Sequence, residues 1–260
     1  MATLGVIPAR IGSERLPRKP LYPLAGRPLI EWVWRRAAGF RALDAVVVAT
    51  DSEQVAAVCR TLGAPVELTS FLHASGTERV AEVVARPAYR GYDVVVNIQG
   101  DEPFVTEEQV RAAVELVEGG WDVGTVATPV RTLAAWRDPA VVKVVRGDDG
   151  RALYFSRAPI PHRRDGEPDE RELASPRYLR HVGIYAYARP ALERWVALPP
   201  HALERIERLE QLRALAAGLR VGVALVSHAE GGIDTPEEAL RAEERLRAAA
   251  AALAAPSGAT

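Results

Sequence analysis

The chain has 260 residues, of which 48% are hydrophobic and 26% are charged, and this provides enough apolar material for the core of one large domain. Its 33 basic and 34 acidic residues nearly cancel, so we expect no nucleic-acid partner and no attraction to an anionic membrane surface. The single cysteine, Cys59, excludes an internal disulfide framework and a multi-cysteine metal site.

Short, β-branched apolar runs alternate along the chain with longer segments of helical spacing. The expected strands are Thr3–Ala9, Ala45–Thr50, Val66–Thr69, Asp93–Ile98, Val123–Val130, Val141–Val145 and Val221–Ser227. The expected helices are Leu29–Phe40, Glu53–Leu62, Glu78–Ala85, Glu107–Val117, Glu204–Ala217 and about Glu237–Ala254. Strands that are apolar on both faces and separated by helices indicate an α/β fold with a mostly parallel sheet covered on both sides. In such sheets ligands bind at the carboxyl ends of the strands, near the topological switch point.

The middle of the chain departs from this alternation. Between about 153 and 200 prolines are frequent, and a charged loop, His162–Glu172, separates the strand-like segments Leu153–Ser156 and Val182–Tyr187. We interpret this stretch as an inserted antiparallel arm within a single domain that spans residues 1–260.

The N-terminal apolar stretch does not resemble a targeting segment. It has no charged segment before it, and Arg10 interrupts it early. No apolar run in the chain approaches the roughly 20 residues that cross a bilayer. We therefore expect no signal peptide, no membrane partner and a cytoplasmic location.

A basic loop follows the first expected strand. Its cationic residues, all within ten positions, are Arg10, Arg15, Arg18 and Lys19. Gly12 and Ser13 add backbone that can approach an anion closely. The loop contains neither the GxxxxGK[ST] nor the GxGxxG pattern. Its charge and its place at a strand end favour a triphosphate site over a solvated basic loop.

Lysine is rare in this chain, which uses arginine at every basic position except Lys19 and Lys143. An ammonium retained in such a background indicates a need for a compact point charge. Codon bias explains either lysine alone equally well. The basic loop supports a role for Lys19, whereas nothing around Lys143 assigns it one.

The segment His73–Arg79 stands directly before an expected helix. Ser75 or Thr77 can cap that helix, and this structural role alone explains the pattern. The free N–H groups of a helix N-terminus also suit a phosphate or a base. The cap is the interpretation that the residues themselves favour.

Carboxylates follow two of the expected strands. Asp101 comes after a strand and a glycine turn in Asn97–Pro103, and Asp234 follows Val221–Ser227. Mg²⁺ prefers one or two carboxylates together with substrate phosphates and water. The second segment also reads as a helix start, with Thr235 as N-cap and Glu238 completing a capping box. Because that cap does not need Asp234, its carboxylate is left for a metal or for solvent.

The segment Leu203–Leu212 places apolar residues along one seam with glutamates beside it. This spacing is typical of a solvated helix with ion pairs. Arg157, Arg180, His181 and Tyr185, which lie in the expected arm, carry no pattern of their own and read singly as structural residues.

Taken together, these segments resemble one family. IPARIGSERLPRKPL, HASGTERVAEV, VVNIQGDEPF, ALYFSRAPIP, RHVGIYAY, LERIERLEQLR and GIDTPEE occur in this order between residues 7 and 238. The combination resembles the 3-deoxy-manno-octulosonate (Kdo) cytidylyltransferases, or CMP-Kdo synthetases, over nearly the whole chain. One departure is Arg18, which stands where a glycine is expected before the lysine.

The resemblance implies a Rossmann-like nucleotidyltransferase fold of the glycosyltransferase A-like type, a three-layer sandwich whose inserted antiparallel arm forms a homodimer. It also implies the reaction CTP + Kdo → CMP-Kdo + diphosphate, for lipopolysaccharide biosynthesis, with Mg²⁺ as cofactor. In such a transfer catalysis is mainly positioning and electrostatic stabilisation of the phosphoryl oxygens.

The resemblance further implies a role for particular residues. Those that would hold the triphosphate are Arg10, Ser13 and Lys19, with Arg15 near the phosphates or the sugar acid. Those that would border the nucleotide are Ser75, Gly76 and Arg79, and Gln99 would meet both substrates. The Mg²⁺ ligands would be Asp101 and Asp234. Those that would surround the sugar are Arg157, His181, Tyr185, Glu210 and Gln211, with Arg157 as a bidentate clamp on its carboxylate.

Other activities would use much of the same site. A CMP-sialate synthetase or an enzyme for 8-amino-Kdo would share the chemistry, and a catalytically silent sugar-nucleotide binding protein would share the fold. The retained carboxylates and Lys19 argue against the silent protein. The missing glycine fingerprint disfavours a nicotinamide oxidoreductase.

Overall fold

The structure is a computed structural model and describes residues 1–13 and 15–254. Its strands are β1 (Thr3–Pro8), β2 (Pro23–Leu24), β3 (Arg27–Pro28), β4 (Ala45–Thr50), β5 (Val66–Leu68), β6 (Val94–Asn97), β7 (Val123–Pro129), β8 (Lys143–Arg146), β9 (Ala152–Ser156), β10 (Leu179–Ala188) and β11 (Val221–Leu225). Its helices are α1 (Leu29–Ala37), α2 (Glu53–Thr61), α3 (Gly76–Ala85), α4 (Glu107–Glu118), α5 (Leu133–Arg137), α6 (Glu170–Leu173), α7 (Arg189–Ala197), α8 (Ala202–Glu207), α9 (Gln211–Ala216) and α10 (Pro236–Ala254), with 3-10 turns at Lys19–Leu21 and Pro87–Tyr89. Among the helices of the described ranges, none has the length and apolar character needed to cross a bilayer.

A nine-stranded sheet forms the centre of the molecule, in the order β11-β7-β10-β6-β1-β4-β5, with β8 paired to β10 and β9 paired to β8. Parallel pairing joins β6, β1, β4 and β5, and also β7 and β11. The predicted α/β fold with a mostly parallel sheet is confirmed. The strand order reverses beside β1, because β4 lies on one side of it and β6 on the other. This reversal is the topological switch point, where a ligand crevice is expected.

The two faces of the sheet bury separate apolar cores, which makes the fold a three-layer sandwich. In β6, Val94 and Val96 belong to the core under α1, α2, α4 and α10, whereas Val95 belongs to the core under α3, α7 and α9. Successive strand residues point to opposite faces. A strand covered on both sides must therefore be apolar throughout, which is why these runs were recognisable in the sequence.

The predicted strand Val182–Tyr187 does not belong to a separate arm. It is part of β10, which lies between β6 and β7 and runs antiparallel to both, with Tyr185 opposite Asn97 and Thr125. The interpretation of residues 153–200 as an arm is therefore wrong for this strand. Its partners are distant in sequence, and the local pattern carries no information about them.

The predicted helix Glu204–Ala217 is broken into α8 and α9. Arg208 ends α8 in the left-handed conformation, with φ of 52°. As a result the expected seam is divided, since Ile206 is 77% exposed while Leu212 is buried. The glutamates are not solvated either: the Glu207 carboxylate accepts hydrogen bonds from the Ser156 hydroxyl at 2.6 Å and from the Arg157 N–H at 2.9 Å.

Lys143, which had no assigned role, is fully buried in β8. Its ammonium donates to the carbonyl oxygens of Asp138, Val141 and Arg157 at 2.9, 2.5 and 2.6 Å. Burial lowers the pKa of Lys143, with the charges of Asp138 and Glu207 acting against it. The lysine ties the turn before β8 to the end of β9, a structural role that needs three donors on one small group.

Candidate active site

A cavity of about 950 Å³ opens at the carboxyl ends of the parallel strands. Its walls come from the basic loop after β1, the segment that leads into α3, the turn after β6 and the loop before α10. The expected site residues that line it are Arg10, Ser13, Arg15, Lys19, Ser75, Gly76, Arg79, Gln99, Asp101 and Asp234. The expectation that the ligand site lies at the carboxyl ends of the strands therefore located the cavity correctly.

The pairing of β1 with β6 brings two of these walls together. A Cβ atom on Gly100 would lie only 2.5 Å from the Pro8 carbonyl oxygen, so no larger residue fits without displacing backbone. Gly76 packs in the same way, with its Cβ position 3.3 Å from Pro8 Cγ. Both glycines allow the loops that follow β1 and β6 to meet the start of α3.

The carboxylates of Asp101 and Asp234 meet at one ammonium. Lys19 Nζ donates to Asp101 Oδ2 at 2.7 Å and to Asp234 Oδ1 at 2.5 Å, and Arg15 Nη2 donates to Asp234 Oδ2 at 2.8 Å. Burial lowers the pKa of Lys19, but the two carboxylates outweigh it and hold the pKa above its ordinary value. For Asp234, burial raises the pKa, and Lys19 with Arg15 brings it below its usual range.

The backbone fixes Asp234 at this position. Ile233 N–H donates to the Asp101 carbonyl oxygen at 2.9 Å. One residue further on, Thr235 Oγ1 accepts from Glu238 N–H at 3.2 Å, and the Glu238 carboxylate accepts from Thr235 N–H at 3.0 Å. The predicted capping box is confirmed. It leaves the Asp234 carboxylate directed at Lys19 rather than at the helix.

A divalent cation fits the same two carboxylates. Their oxygens already converge on a cationic atom, Lys19 Nζ, at hydrogen-bond distance. Within the described ranges no cluster of three or more His, Cys, Asp or Glu side chains could hold a metal. The donor set of Asp101 and Asp234 thus leaves most coordination positions to phosphate and water, as Mg²⁺ prefers. Their role as metal ligands stays a prediction.

The departure from the family pattern at Arg18 has a structural counterpart. Arg18 adopts the left-handed conformation, with φ of 54° and ψ of 37°, immediately before the 3-10 turn that carries Lys19. Glycine enters this region without steric cost, whereas other residues do not. The side chain is held by a 2.8 Å hydrogen bond from Arg18 Nη2 to Gln54 Oε1. The loop therefore keeps the conformation that a glycine would favour.

The start of α3 is capped and held from the opposite wall. Ser75 Oγ accepts from Glu78 N–H at 3.2 Å, which confirms the predicted cap. The same hydroxyl donates to Glu210 Oε1 at 2.9 Å, and Thr77 Oγ1 donates to Glu210 Oε2 at 3.0 Å. Burial raises the pKa of Glu210, against the lowering effect of these two hydroxyl groups and of Arg213. Glu210 thus contacts the cavity wall that the start of α3 forms.

Arg79 borders the cavity, but its charge is turned away from it. Its side chain is only 3% exposed, and Nη2 donates to Asp51 Oδ2 at 3.0 Å. The other terminal nitrogen donates to Thr69 Oγ1 at 2.5 Å and to the Ser70 carbonyl at 3.2 Å. These contacts describe a residue that holds the wall in place.

Several expected sugar-binding residues do not line this cavity. The guanidinium of Arg157 donates to three backbone carbonyls, those of Glu207, Pro139 and Arg208. In this conformation it does not present the free bidentate face that a carboxylate clamp requires. Gln211 is buried in α9.

His181 and Tyr185 lie together in the middle of β10, with their ring centroids 5.2 Å apart. Thr125 Oγ1 donates to the Ile184 carbonyl at 2.7 Å and shares a 2.9 Å hydrogen bond with His181 Nε2. Burial lowers the pKa of His181 to about 3 and raises that of Tyr185. Gln99 connects this group to the cavity, because its Nε2 donates to the carbonyl of Gly183 at 2.9 Å.

Sequence reasoning missed three residues around the cavity. His73 lines it and is held by Glu82 Oε2, 2.5 Å from His73 Nε2. Burial and the neighbouring Asp101 raise the pKa of Glu102 to about 8, against the lowering effect of Arg180. Asp51 stands directly after β4, where the strand-end rule would have found it. His73 stands two positions before the cap residue Ser75, and Glu102 directly follows Asp101, so neither has a sequence pattern separate from that of its neighbour.

Comparison with known proteins identifies the family to which the chain belongs. The model of the cytidylyltransferase family matches residues 4–221, so the α/β fold is that of a cytidylyltransferase. A 3-deoxy-manno-octulosonate cytidylyltransferase of Gemmatimonas aurantiaca is 52% identical over 243 residues, 93% of this chain and 93% of that protein. Another of the same name, from Syntrophobacter fumaroxidans, is 45% identical over 92% of this chain and 94% of its own length. The chain belongs to the 3-deoxy-manno-octulosonate cytidylyltransferase family.

Solved structures give the same result. A CMP:2-keto-3-deoxy-manno-octonic acid synthetase complexed with CTP is similar with a TM-score of 0.87 and 35% identity, covering 96% of this chain and all of that one (100%). A 4-diphosphocytidyl-2C-methyl-D-erythritol synthase from Anaerococcus prevotii shares the fold, with a TM-score of 0.62 at 14% identity. The predicted family and fold are therefore confirmed.

Proposed function

We propose that this protein transfers the cytidylyl group of CTP to Kdo and releases diphosphate, and that the product supplies lipopolysaccharide biosynthesis. The observation that carries the proposal is the cluster of Lys19, Asp101 and Asp234 beside a basic loop at the switch point of the sheet. The similarity to relatives named for this activity supports the choice of both substrates.

The cationic loop is the part suited to the triphosphate. Arg10 is exposed at the cavity, and the Arg15 side chain is 67% exposed, so both can reach an anion without breaking buried contacts. Lys19 supplies a compact charge at the centre of the cavity, and the hydroxyl of Ser13 adds a donor. Together they counter the charge of the nucleotide.

In the reaction the anomeric hydroxyl oxygen of Kdo forms a bond to the α-phosphorus while the bond to the leaving diphosphate breaks. The hydroxyl proton passes to solvent, and negative charge gathers on the phosphoryl oxygens. Arg10, Arg15 and Lys19 stabilise that charge, and electrostatic stabilisation of this kind is the main source of rate in such transfers.

Asp101 and Asp234 would hold Mg²⁺ by one carboxylate each. When bound, Mg²⁺ supplies positive charge that stabilises the α-phosphate oxygens and lowers the pKa of a bound hydroxyl. Since both carboxylates now pair with Lys19, the ammonium would have to exchange these partners for phosphate oxygens.

The sugar acid is proposed to lie where the cavity meets β10. The hydrogen bond from Gln99 to Gly183 joins the nucleotide side to the strand that carries His181 and Tyr185. The residues proposed around the sugar remain Arg157, His181, Tyr185, Glu210 and Gln211, with Arg157 needing to release its backbone carbonyls before it can clamp a carboxylate.

A homodimer and a cytoplasmic location complete the proposal. Leu153 on β9 is 57% exposed and Ile206 on α8 is 77% exposed, and the Ser156–Glu207 hydrogen bond joins these two elements. An apolar surface of this kind suits a second copy of the chain. Sedimentation equilibrium of the full chain should give twice the monomer mass, and a monomer at micromolar concentration would contradict it.

The activity is tested by diphosphate release with CTP, UTP, ATP and GTP against Kdo, 8-amino-Kdo and sialic acid. We expect turnover only with CTP, with Kdo preferred and with loss on chelation of divalent cations. Preference for sialic acid or 8-amino-Kdo would move the assignment to the corresponding enzyme. Binding of CTP without turnover on any sugar acid would favour the silent binding protein.

A further inference from the structure

Asp51 touches two walls of the cavity at once, although it does not line the cavity itself. It follows β4, and its side chain is 12% exposed. One carboxylate oxygen, Oδ1, accepts from Ile11 N–H at 3.0 Å, and the other, Oδ2, accepts from Arg79 Nη2 at 3.0 Å. Oδ1 therefore binds the basic loop, and Oδ2 binds the wall that α3 forms.

The first of these contacts fixes the basic loop. Ile11 lies between Arg10 and Gly12, so a hydrogen bond to its N–H sets where the backbone leaves β1. Two hydrogen bonds come just before this contact: Thr50 Oγ1 donates to the Ala9 carbonyl at 2.6 Å, and Ala9 N–H donates to the Ala49 carbonyl at 2.8 Å. They end at Thr50 on one segment and at Ala9 on the other. Asp51 extends the register of β4 into the loop that carries the cations.

The second contact fixes the opposite wall. Arg79 lies in the first turns of α3, the helix whose N-terminal residues Ser75 and Gly76 line the cavity. Its buried guanidinium needs an anionic partner, because an unpaired charge at 3% exposure is costly. Asp51 supplies that charge, and the pair holds α3 against the end of β4.

We propose that Asp51 is a positioning residue for CTP, which sets the gap between the basic loop and the start of α3 without touching the nucleotide. This inference rests on the proposed function for its choice of nucleotide. A displacement of about 1 Å in positioning groups can cost roughly 10²-fold in rate, so a carboxylate that fixes both walls has a large effect on the site.

The test compares Asp51→Ala and Asp51→Asn with wild type. Alanine removes both hydrogen bonds, whereas asparagine keeps the volume and has one acceptor oxygen, which serves Ile11 or Arg79 but not both. We expect the Kd for CTP, measured by calorimetry, and the KM for CTP to rise roughly 10-fold in Asp51→Asn and up to roughly 100-fold in Asp51→Ala. The KM for Kdo should not change.

Glu67 provides a matched control. Its carboxylate also joins an arginine and a second donor, Arg86 and the Tyr89 hydroxyl, but neither partner lines the cavity. Glu67→Gln should lower the melting temperature without changing the Kd for CTP. A general loss of stability would affect Asp51 and Glu67 variants alike, whereas positioning affects CTP alone.

The outcomes separate this inference from the proposed function. If wild type binds CTP but does not use Kdo, the proposed function fails and the Kd values still decide the role of Asp51. Native-like CTP binding in Asp51→Asn and Asp51→Ala overturns the inference, and so does an equal rise in the KM of both substrates. If Asp51→Ala does not fold, Asp51→Asn decides alone. A wild-type chain that binds no CTP overturns both proposals.

Discussion

Replacement of Lys19 by methionine should have opposite effects on cation binding and on catalysis. The ammonium now occupies the point where the oxygens of Asp101 and Asp234 converge, at 2.7 and 2.5 Å. A divalent cation that uses the same oxygens must displace it. Removing the ammonium should therefore raise the affinity of the nucleotide-free protein for Mg²⁺, even though the variant turns over poorly.

The expected gain in Mg²⁺ affinity can be worked out from how far the Lys19, Asp101 and Asp234 side chains are buried. The side chains of Lys19 and Asp101 are 16% and 28% exposed, so their contact falls in the range of about 1.5 kcal/mol for a charged hydrogen bond. The Asp234 side chain is 38% exposed, and solvent screening reduces its contact to about 0.5 kcal/mol. The sum of about 2 kcal/mol corresponds to roughly 30-fold tighter Mg²⁺ binding.

Calorimetric titration of the nucleotide-free variants with MgCl₂ measures this change. Lys19→Arg is the control, since it keeps the positive charge and should bind Mg²⁺ as wild type does. In the diphosphate assay Lys19→Met should lose roughly 10²-fold or more in turnover, because one fixed electrostatic group is removed. Mg²⁺ affinity that is unchanged or weaker in Lys19→Met would refute the idea that the two cations compete for these carboxylates.

Three further changes test other parts of the structure. Asp101→Ala and Asp234→Ala should each abolish turnover at saturating CTP while circular dichroism shows a native fold, and near-native turnover would remove that residue from the required set. Arg18→Val should lower the free energy of unfolding, measured in urea, by about 1–2 kcal/mol, because a β-branched residue is strained in the left-handed conformation. Arg18→Gly should stay within about 1 kcal/mol of wild type. Equal losses of stability in the two variants would contradict this explanation. His181 has a pKa of about 3 in the folded protein, against its ordinary value of 6.5. Between these pH values the unfolded chain binds a proton at His181 and the folded chain does not, so the free energy of unfolding falls as the pH drops. From pH 6 to pH 4.5 wild type should lose about 2 kcal/mol more than His181→Asn, and parallel pH profiles would contradict it.

Sequence patterns were sufficient to predict structure wherever the local residues alone determine the element, as in strands buried on both faces and in helix caps. Strands buried on both faces are apolar throughout, so the strand ends and the residues that follow them could be located. This is why Asp101 and Asp234, 133 positions apart in the chain, could be predicted to converge. The predicted caps at Ser75 and Thr235 rest equally on local chemistry, and both are present.

Other features depend on partners that are distant in sequence. Nothing in the local pattern of Val182–Tyr187 says that it pairs with β6 and β7 rather than with another strand of an arm. The break between α8 and α9 at Arg208 could not be predicted either, since no glycine or proline stands at that position. Glu207 and Glu210 read as solvated helix residues because their actual partners, such as Ser156 and Ser75, lie on other elements.

The site is a set of charges that neutralise one another and can exchange partners. In the free protein the two negative charges of Asp101 and Asp234 face the positive charges of Lys19 and Arg15, which is why the carboxylates can lie close together before any substrate arrives. A divalent cation at the carboxylates would release Lys19 and Arg15, which under the proposed function would then bind the triphosphate. Each partner therefore favours the other through the groups it sets free, which is a reciprocal coupling of two binding events. Asp51 and Glu210 do not take part in this exchange, because the Asp51 carboxylate holds the basic loop through Ile11 N–H and the Glu210 carboxylate holds the start of α3 through Ser75 and Thr77.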